Sequence, residues 1–161
     1  WDAVDNNISN LEGKTGVVKR IFVEGIPGKG EDVSVSLKEA SLGAWNMLQE
    51  RVNAGAEYEE FENLEILQKV IDWSKCLNSG LSNRGVAEKI AEELKKESES
   101  RLEFINNSID KNLNDGESCI IFSGNQETNL PDDIEKFIIS PPELDMVAQW
   151  VKMLRLLWKL K

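Results

Sequence analysis

Histidine is absent from this chain of 161 residues. Its absence excludes Ser-His-Asp and Cys-His catalysis, proton shuttling through imidazole, and every metal site that uses a histidine ligand. Only two cysteines are present, Cys76 and Cys119, and they lie far apart in the sequence. A thiolate zinc site is therefore excluded as well. We predict no metal site and no cofactor, which leaves carboxylate, lysine or tyrosine chemistry, or a hard cation held by oxygen ligands.

Both cysteines lie inside apolar patterns, Cys76 in a predicted helix and Cys119 in a predicted strand. This setting favours two buried free thiols over a disulfide or a nucleophile, and it suits a reducing compartment. No apolar run approaches the roughly 18 residues that a membrane span needs. No signal-peptide pattern opens the chain, which begins at Trp1. The sequence thus predicts a cytoplasmic protein without a membrane span.

Basic residues are scarce, with 19 Lys and Arg against 29 Asp and Glu, a net charge of −10 and a pI near 4.6. This balance argues against nucleic acid as a partner, because phosphate binding draws its affinity from clustered basic side chains. It argues equally against an anionic membrane surface. The simplest interpretation is a negative surface that aids solubility, and cationic or neutral partners stay open.

The length fits one domain with its own core, and no internal repeat or interdomain linker is present, so we expect a single domain over 1–161. Apolar spacing predicts helices over 1–11, 36–54, 58–78, 83–112 and 143–160, and strands over 16–24, 118–123 and 136–140. The predicted fold class is α/β: a small, mostly parallel sheet of three or four strands, covered by helices in Rossmann-like layers and rich in helix. So short a sheet also suggests that a further strand precedes Trp1.

Two points of this organisation stay open. The polar stretch "KKESESR", residues 95–101, interrupts the pattern of 83–112, which is either one long helix or two helices with a bend. The strands 118–123 and 136–140 are both continuously apolar, which favours burial on both faces and parallel pairing. Parallel pairing would bring the "SGN" and "SPP" that follow them to one edge of the sheet, whereas antiparallel pairing would separate them.

The stretch "FSGNQETN" is the better candidate for ligand contact. Ser123, Asn125, Gln126 and Glu127 follow a buried strand, where hydroxyl, amide and carboxylate groups could orient a small molecule. Glu24 closes the first strand and could pair with Glu127 as an acid and base couple or bind a cation. The competing interpretation is a polar turn after 123 and a solvated carboxylate at Glu24.

Three other segments are best explained structurally. In "SPPE", Ser140 and Glu143 have the spacing of a capping box, and the prolines remove the amides that an anion would need. The glycine-rich "GIPGKGED" predicts a mobile loop, and its "GKGED" lacks the spacing of a phosphate-binding loop. Arg101 follows a run of Glu and Ser, so it is expected to pair with Glu97 on its own helix.

The C-terminal "WVKMLRLLWKLK" combines large apolar residues with four basic ones. Either this helix packs in the core of its own chain, or part of its wide apolar face stays exposed and binds a partner. In the second case, a dimer contact that joins the basic tail to the acidic body of another chain is the first expectation. The residues predicted to form it are Trp150, Leu154, Leu157 and Trp158.

No motif assigns a reaction to this sequence. The leading hypothesis is a non-catalytic interaction or regulatory module that forms a homo-oligomer through its C-terminal helix. The alternative is a small-molecule-binding domain or enzyme that uses carboxylate and amide groups at the strand ends. A third hypothesis is a fragment whose active site is partly built by residues before Trp1.

Overall fold

The computed structural model of the chain describes residues 1–124, 130, 134–140, 146–147, 149–151 and 153. Its elements, in chain order, are α1 (Asp2–Thr15), β1 (Val18–Val23), α2 (Glu31–Ala40), α3 (Leu42–Asn53), β2 (Glu57–Glu59), α4 (Leu64–Asn78), α5 (Arg84–Asn112) and β3 (Ser118–Phe122). Within these described ranges the sheet has three strands in the order β2-β1-β3, and both pairings are parallel. The predicted fold class, a small parallel sheet with many helices, is confirmed.

Residues on β1 alternate between two hydrophobic clusters, as the period of a strand requires. Ile21 and Val23 belong to a cluster with residues of α1, α2, α3 and β2. Phe22, between them in the sequence, packs with Phe61, Ile105 and Ile109 instead. The sheet therefore divides the core into two clusters, and β1 is the central strand because it pairs with β2 on one edge and β3 on the other.

The predicted helix 36–54 is wrong in its bounds, because two helices occupy this part of the chain. Ser41 is extended, with φ of −156°, and its hydroxyl oxygen accepts a hydrogen bond from the Ala44 amide at 3.4 Å. This side chain caps α3, while α2 begins at Glu31, inside the segment predicted as a loop. A serine between two helical patterns permits such a break, because its hydroxyl group can bind a backbone amide in place of the helical hydrogen bond.

The prediction that residues 58–78 form one helix is wrong at its start. Residues Glu57–Glu59 form β2, and α4 begins after Asn63, whose side-chain oxygen accepts a hydrogen bond from the Ile66 amide at 3.1 Å. The short strand is held by β1, since Arg20 binds both Glu57 and Glu59 at 2.7 Å. These nonlocal ion pairs are not visible in the local apolar pattern.

The open question about residues 83–112 is settled in favour of one continuous helix of 29 residues, about 43 Å long at 1.5 Å per residue. Its predicted cap is confirmed, because the Asn83 side-chain oxygen accepts a hydrogen bond from the Val86 amide at 3.1 Å. The buried residues of α5 are Ile105, Ser108 and Ile109, all in its C-terminal part. The polar stretch 95–101 therefore belongs to the part of α5 that packs less deeply.

The strand predicted at 136–140 does not form, since these residues have no regular structure and Ile138 is 92% exposed. The prediction that the strand at 118–123 is buried on both faces is also wrong, because β3 lies at an edge of the sheet and all five of its residues are half-buried. Two parallel strand ends do meet, but they are those of β1 and β3. The capping box after Ser140 lies outside the described residues.

The two cysteines differ from the predicted pair of buried thiols. Both are free, but Cys76 is exposed on α4, whereas Cys119 on β3 is half-buried. Burial raises the pKa of the Cys119 thiol to about 11. Within the part of the chain that the structure describes, no helix is long and apolar enough to cross a membrane.

Candidate functional site at the carboxyl edge of the sheet

The carboxyl ends of the three parallel strands place polar groups at one edge of the sheet. Glu24 directly follows β1, Glu62 lies three residues beyond the end of β2, and Gly124 lies two residues beyond the end of β3. The ladder continues one step past β1, because the Glu24 amide donates to the Phe122 carbonyl oxygen at 2.9 Å. This edge is where ligands bind in open parallel sheets, so its side chains are the first to consider.

Arg101, on α5, joins the carboxylates of two strand ends. Its Nε and Nη2 donate to both oxygens of Glu62, with 2.9 Å between Nε and Oε2, and Nη2 also donates to Glu24 Oε1 at 3.1 Å. The prediction that Arg101 pairs with Glu97 on its own helix is therefore wrong. The planar guanidinium suits this arrangement, because it can bind one carboxylate with two parallel bonds and still reach a second.

Backbone amides complete the cluster, which we call the edge cluster: Glu24, Gly25, Glu62, Arg101 and Gly124. The Gly124 amide donates to Glu24 Oε2 at 2.7 Å, and the Gly25 amide donates to Glu62 Oε1 at 2.9 Å. Gly25 has a φ of 79°, a conformation that glycine adopts without strain, and the resulting turn lies at the end of β1. The cluster thus fixes the backbone at both the β1 and the β3 ends.

Burial within the edge cluster is graded. Glu62 is fully buried, the Arg101 side chain is 13% exposed and the Glu24 side chain is 19% exposed. The hydrogen bond with Glu62, opposed by burial but aided by Glu24, raises the pKa of Arg101 above its ordinary value. The guanidinium therefore stays charged at every physiological pH, and it offsets the desolvation of the buried Glu62 carboxylate.

Of the residues predicted to contact a ligand, Glu24 and Ser123 lie at this edge, and Asn125, Gln126 and Glu127 lie outside the described residues. Glu24 is not the solvated strand end of the competing interpretation, because its carboxylate oxygens accept bonds from Arg101 and Gly124. Sequence reasoning missed Glu62 as well as the role of Arg101. The one signal in the sequence for the role of Arg101 was its position at the end of the polar stretch 95–101 of a long helix.

Two further arginines join carboxylates elsewhere. Arg51, buried on α3, binds Asp5 and Glu12 of α1, with 3.2 Å between Nη2 and Glu12 Oε2. These bonds fasten α1 to α3. Arg20 binds carboxylates of β2 and also Glu117, at 3.4 Å, before β3. Among the residues that the structure describes, no group of His, Cys, Asp or Glu side chains could hold a metal ion.

A second region of interest is a cavity of about 1250 Å³ beside β3, lined by both apolar and polar residues. Residues of α1 and β3 line it, together with Phe137, Ile139 and Val147 from the C-terminal part of the chain. Trp1 packs against Phe122 there, with 5.8 Å between ring centroids. Trp1, Phe137 and Val147 are each at least half exposed, so the cavity opens onto an apolar surface.

Near the C-terminus, the described residues 146–147, 149–151 and 153 are helical, and several of them add to that surface. Met146, Val147, Trp150 and Met153 are helical and between 53% and 67% exposed. Met146 and Val147 lie four and three residues before Trp150, and Met153 lies three residues after it, so the four share one broad face, which we call the C-terminal stripe. The interpretation that this helix packs in its own core does not hold for these four residues. Of the residues predicted for the interface, Trp150 belongs to the stripe, and Leu154, Leu157 and Trp158 lie outside the described residues.

Comparison of the chain with models of protein families, with curated proteins and with solved structures found no match.

Proposed function

We propose that this chain is a non-catalytic interaction module that self-associates, and that the C-terminal stripe forms the contact. The observation that carries this proposal is the exposure of Met146, Val147, Trp150 and Met153 on one face of a helix. Scattered single apolar residues on a surface need no explanation, but a contiguous set of this kind is typical of an interface.

The position of the cavity beside β3 also supports the C-terminal stripe as the contact surface. Val147 belongs to the stripe and also lines the cavity, so the stripe continues into the apolar mouth formed by Trp1 and Phe137. A stable interface buries roughly 800 Å² on each partner, which is more than four side chains of a single helix supply. We therefore include the cavity mouth in the proposed contact.

Charge complementarity favours a second copy of this chain as the partner. The segment 150–161 contains four basic and no acidic residues, whereas the preceding 149 residues contain 15 basic and 29 acidic ones. Asp110, Asp115 and Glu135 lie around the cavity and are exposed, so the basic segment of one copy would meet an acidic rim on the other. In a two-fold dimer this contact would occur twice, which adds to its strength.

Light scattering coupled to size exclusion tests this proposal. The unmodified chain should elute as a dimer or larger oligomer, and Trp150→Glu and Met153→Glu should each shift it to monomer, because a buried charge without a partner opposes association. Val86→Glu is the matched control, since Val86 is an exposed apolar residue on α5 and its replacement should leave the mass unchanged. An unmodified chain that stays monomeric as its concentration rises would contradict the proposal.

The loss of association should not follow from unfolding. Circular dichroism of the two stripe variants should match that of the unmodified chain, because both side chains are already more than half exposed. A stripe variant that stays oligomeric while Val86→Glu becomes monomeric would move the contact to the α4 and α5 surface.

We also propose a cytoplasmic location, which the two free thiols support.

A further inference from the structure

A further cavity, which we call the α2–α3 cavity, is lined by residues of α2, α3 and β2 and has a volume of about 610 Å³. It shares no described residue with the cavity beside β3. Cavities of roughly 300–1,000 Å³ are typical of sites that bind small molecules. The apolar part of its wall comes from Trp45, Val52 and Ala56. The cavity thus has the size of a ligand site, and neither the edge cluster nor the C-terminal stripe includes any of its residues.

Tyr58, on β2, adds a second observation that points to a ligand. It lines the α2–α3 cavity, is only 4% exposed, and has a hydroxyl without a hydrogen-bond partner in the described part of the chain. Tyr58 pairs with Ile21 in the sheet, and both belong to the hydrophobic cluster of α2 and α3, so the Tyr58 side chain lies on the same face of the sheet as the cavity. A buried tyrosine hydroxyl usually has a partner, and a ligand in the cavity would supply one.

Two other elements also bring polar side chains to the cavity. Ser34 of α2 and Gln49 of α3 both line it. The Trp45 indole N–H donates to Ser34 Oγ at 3.0 Å, and Lys38 Nζ lies 4.5 Å from the centroid of the Trp45 ring. These two contacts hold the indole in place, and the Ser34 hydroxyl keeps its own hydrogen for a further bond. An aromatic wall of fixed orientation with polar groups from several elements is the arrangement that orients a small molecule.

We propose that the α2–α3 cavity binds a small neutral aromatic molecule that carries an amide or carbonyl group. The ring of the ligand packs against Trp45, and its carbonyl oxygen accepts a hydrogen bond from the Tyr58 hydroxyl. Burial raises the pKa of Tyr58 to about 12, so this hydroxyl stays protonated at physiological pH and can act as the donor.

The carboxylates of β2 do not make the cavity acidic. Glu57 and Glu59 are among its lining residues, but alternate residues of a strand face opposite sides, so their side chains lie across the sheet from Tyr58. There Arg20 binds both carboxylates at 2.7 Å. Their contribution to the cavity wall is therefore not a free negative charge.

The other charges near the cavity favour a neutral ligand over an ion. Lys29 and Glu31 line the cavity, are both exposed, and have opposite charges. A ligand cation that packs on Trp45 would meet the ammonium of Lys38. A ligand anion would be opposed by the net charge of −10 of the chain.

Three probes of nearly the same shape test the proposal on the unmodified chain: benzamide, which is neutral, benzoate, an anion, and benzamidine, a cation. In nuclear magnetic resonance titrations, benzamide should shift the indole N–H signal of Trp45 with a Kd of about 1–10 mM and leave those of Trp73 and Trp150 in place. The two ions should bind about tenfold more weakly, because each loses its water without gaining a free counter-charge. Saturating benzamide should raise the melting temperature by roughly 2–4 °C.

Failure of benzamide to shift the Trp45 signal would overturn the proposal, and equal affinity for the three probes would overturn the assignment of a neutral ligand. Tyr58→Phe keeps the ring and its packing, so it should bind benzamide about three- to tenfold more weakly through loss of one hydrogen bond. Trp45→Leu should bind it about tenfold more weakly. Unchanged affinity in Tyr58→Phe would overturn the contact with the hydroxyl.

The inference does not depend on self-association, and Trp150→Glu separates the two. This variant removes an aromatic side chain from the C-terminal stripe, and Trp150 is not among the residues that line the α2–α3 cavity. It should therefore bind benzamide with the affinity of the unmodified chain, whether or not the unmodified chain is an oligomer. Loss of benzamide binding in Trp150→Glu would place the probe at the C-terminal surface and overturn the proposal.

Discussion

Arg101 and Glu62 form a bidentate ion pair across 39 positions of the chain, between the middle of α5 and the loop that follows β2. Glu62 is fully buried, and Arg101 is the cation that compensates its charge. The same guanidinium reaches Glu24 at the end of β1, so one side chain of α5 holds two strand ends. The carboxyl edge of the sheet is thus fixed by an interaction with a helix that is mostly exposed.

Replacement of Arg101 should destabilise the fold strongly. Arg101→Met would leave the Glu62 carboxylate buried without its counter-charge, and the loss of one partner from such a pair costs about 3–5 kcal/mol. Urea denaturation followed by circular dichroism measures the change in the free energy of unfolding. Arg84→Met is the matched control, because Arg84 pairs with Glu88 on the same helix and its side chain is 93% exposed.

The control substitution should change stability by no more than about 0.5 kcal/mol, the size of an exposed ion pair four residues apart on a helix. Equal effects of the two substitutions would show that the Arg101–Glu62 pair is no more important than a surface pair. Addition of Glu62→Gln to Arg101→Met should recover part of the lost stability, because the buried group would then be neutral.

Removal of the Tyr58 hydroxyl should not destabilise the protein, although Tyr58 is buried in the core. Among the residues that the structure describes, the Tyr58 hydroxyl has no hydrogen-bond partner, which is an unfavourable state for a buried polar group. Tyr58→Phe keeps the ring and its packing, so the free energy of unfolding should stay equal or rise by about 1 kcal/mol. A clear loss of stability in urea denaturation would show that the hydroxyl is satisfied in solution.

Tyr58 also predicts how stability changes at high pH. Burial raises its pKa to about 12, above the ordinary value near 10, so the folded chain favours the protonated phenol. This contribution to stability is complete below pH 10 and is lost as the pH rises from 10 toward 12. Because Tyr58 is the only tyrosine, its ionisation can be followed by absorbance near 295 nm. In Tyr58→Phe this part of the alkaline loss of stability should disappear.

The two cysteines should react at different rates with a reagent that alkylates thiolates. Cys76 is exposed, whereas Cys119 is half-buried and has a pKa raised to about 11, so little of its reactive thiolate is present near pH 8. Iodoacetamide followed by mass spectrometry should therefore modify Cys76 first, with Cys119 slower by about tenfold or more. Cys76→Ser should lose the fast phase, and both thiols should react in urea. Equal rates in the native protein would contradict the burial of Cys119.

Protection from hydrogen exchange should be uneven along α5. The buried residues of this helix lie between Ile105 and Ile109, and none lies between Arg84 and Glu103. Native-state exchange measured by mass spectrometry should show faster exchange in peptides from 84–100 than in peptides from 104–112. Uniform protection along α5 would indicate that a partner covers its N-terminal part, and the Trp150→Glu monomer provides the comparison.

The fold could be predicted where local pattern and burial agree. β1 and β3 are rich in β-branched and aromatic residues and both are strands, and the predicted cap at Asn83 forms because it acts within three residues. The caps at Ser41 and Asn63 are equally local but were not predicted, since the apolar pattern continues across both positions. The segment 136–140 shares Ser, Phe and two Ile with β3 but does not pair as a strand. A segment with strand propensity forms a strand only where it can pair with another strand. Both edges of β1 are already paired, one with β2 and the other with β3.

The candidate site was only partly predictable for the same reason. The absence of histidine, the acidic balance and the polar groups after the strands at Glu24 and Ser123 are properties of the sequence alone. The tertiary structure decides that Arg101 binds Glu62 and Glu24 and not a residue of its own helix, because it brings α5 across the ends of β1 and β2. The sequence pattern of a helix predicts ion pairs between side chains three or four residues apart. The partner of a buried carboxylate, in contrast, is the cation that the tertiary structure brings within hydrogen-bond distance.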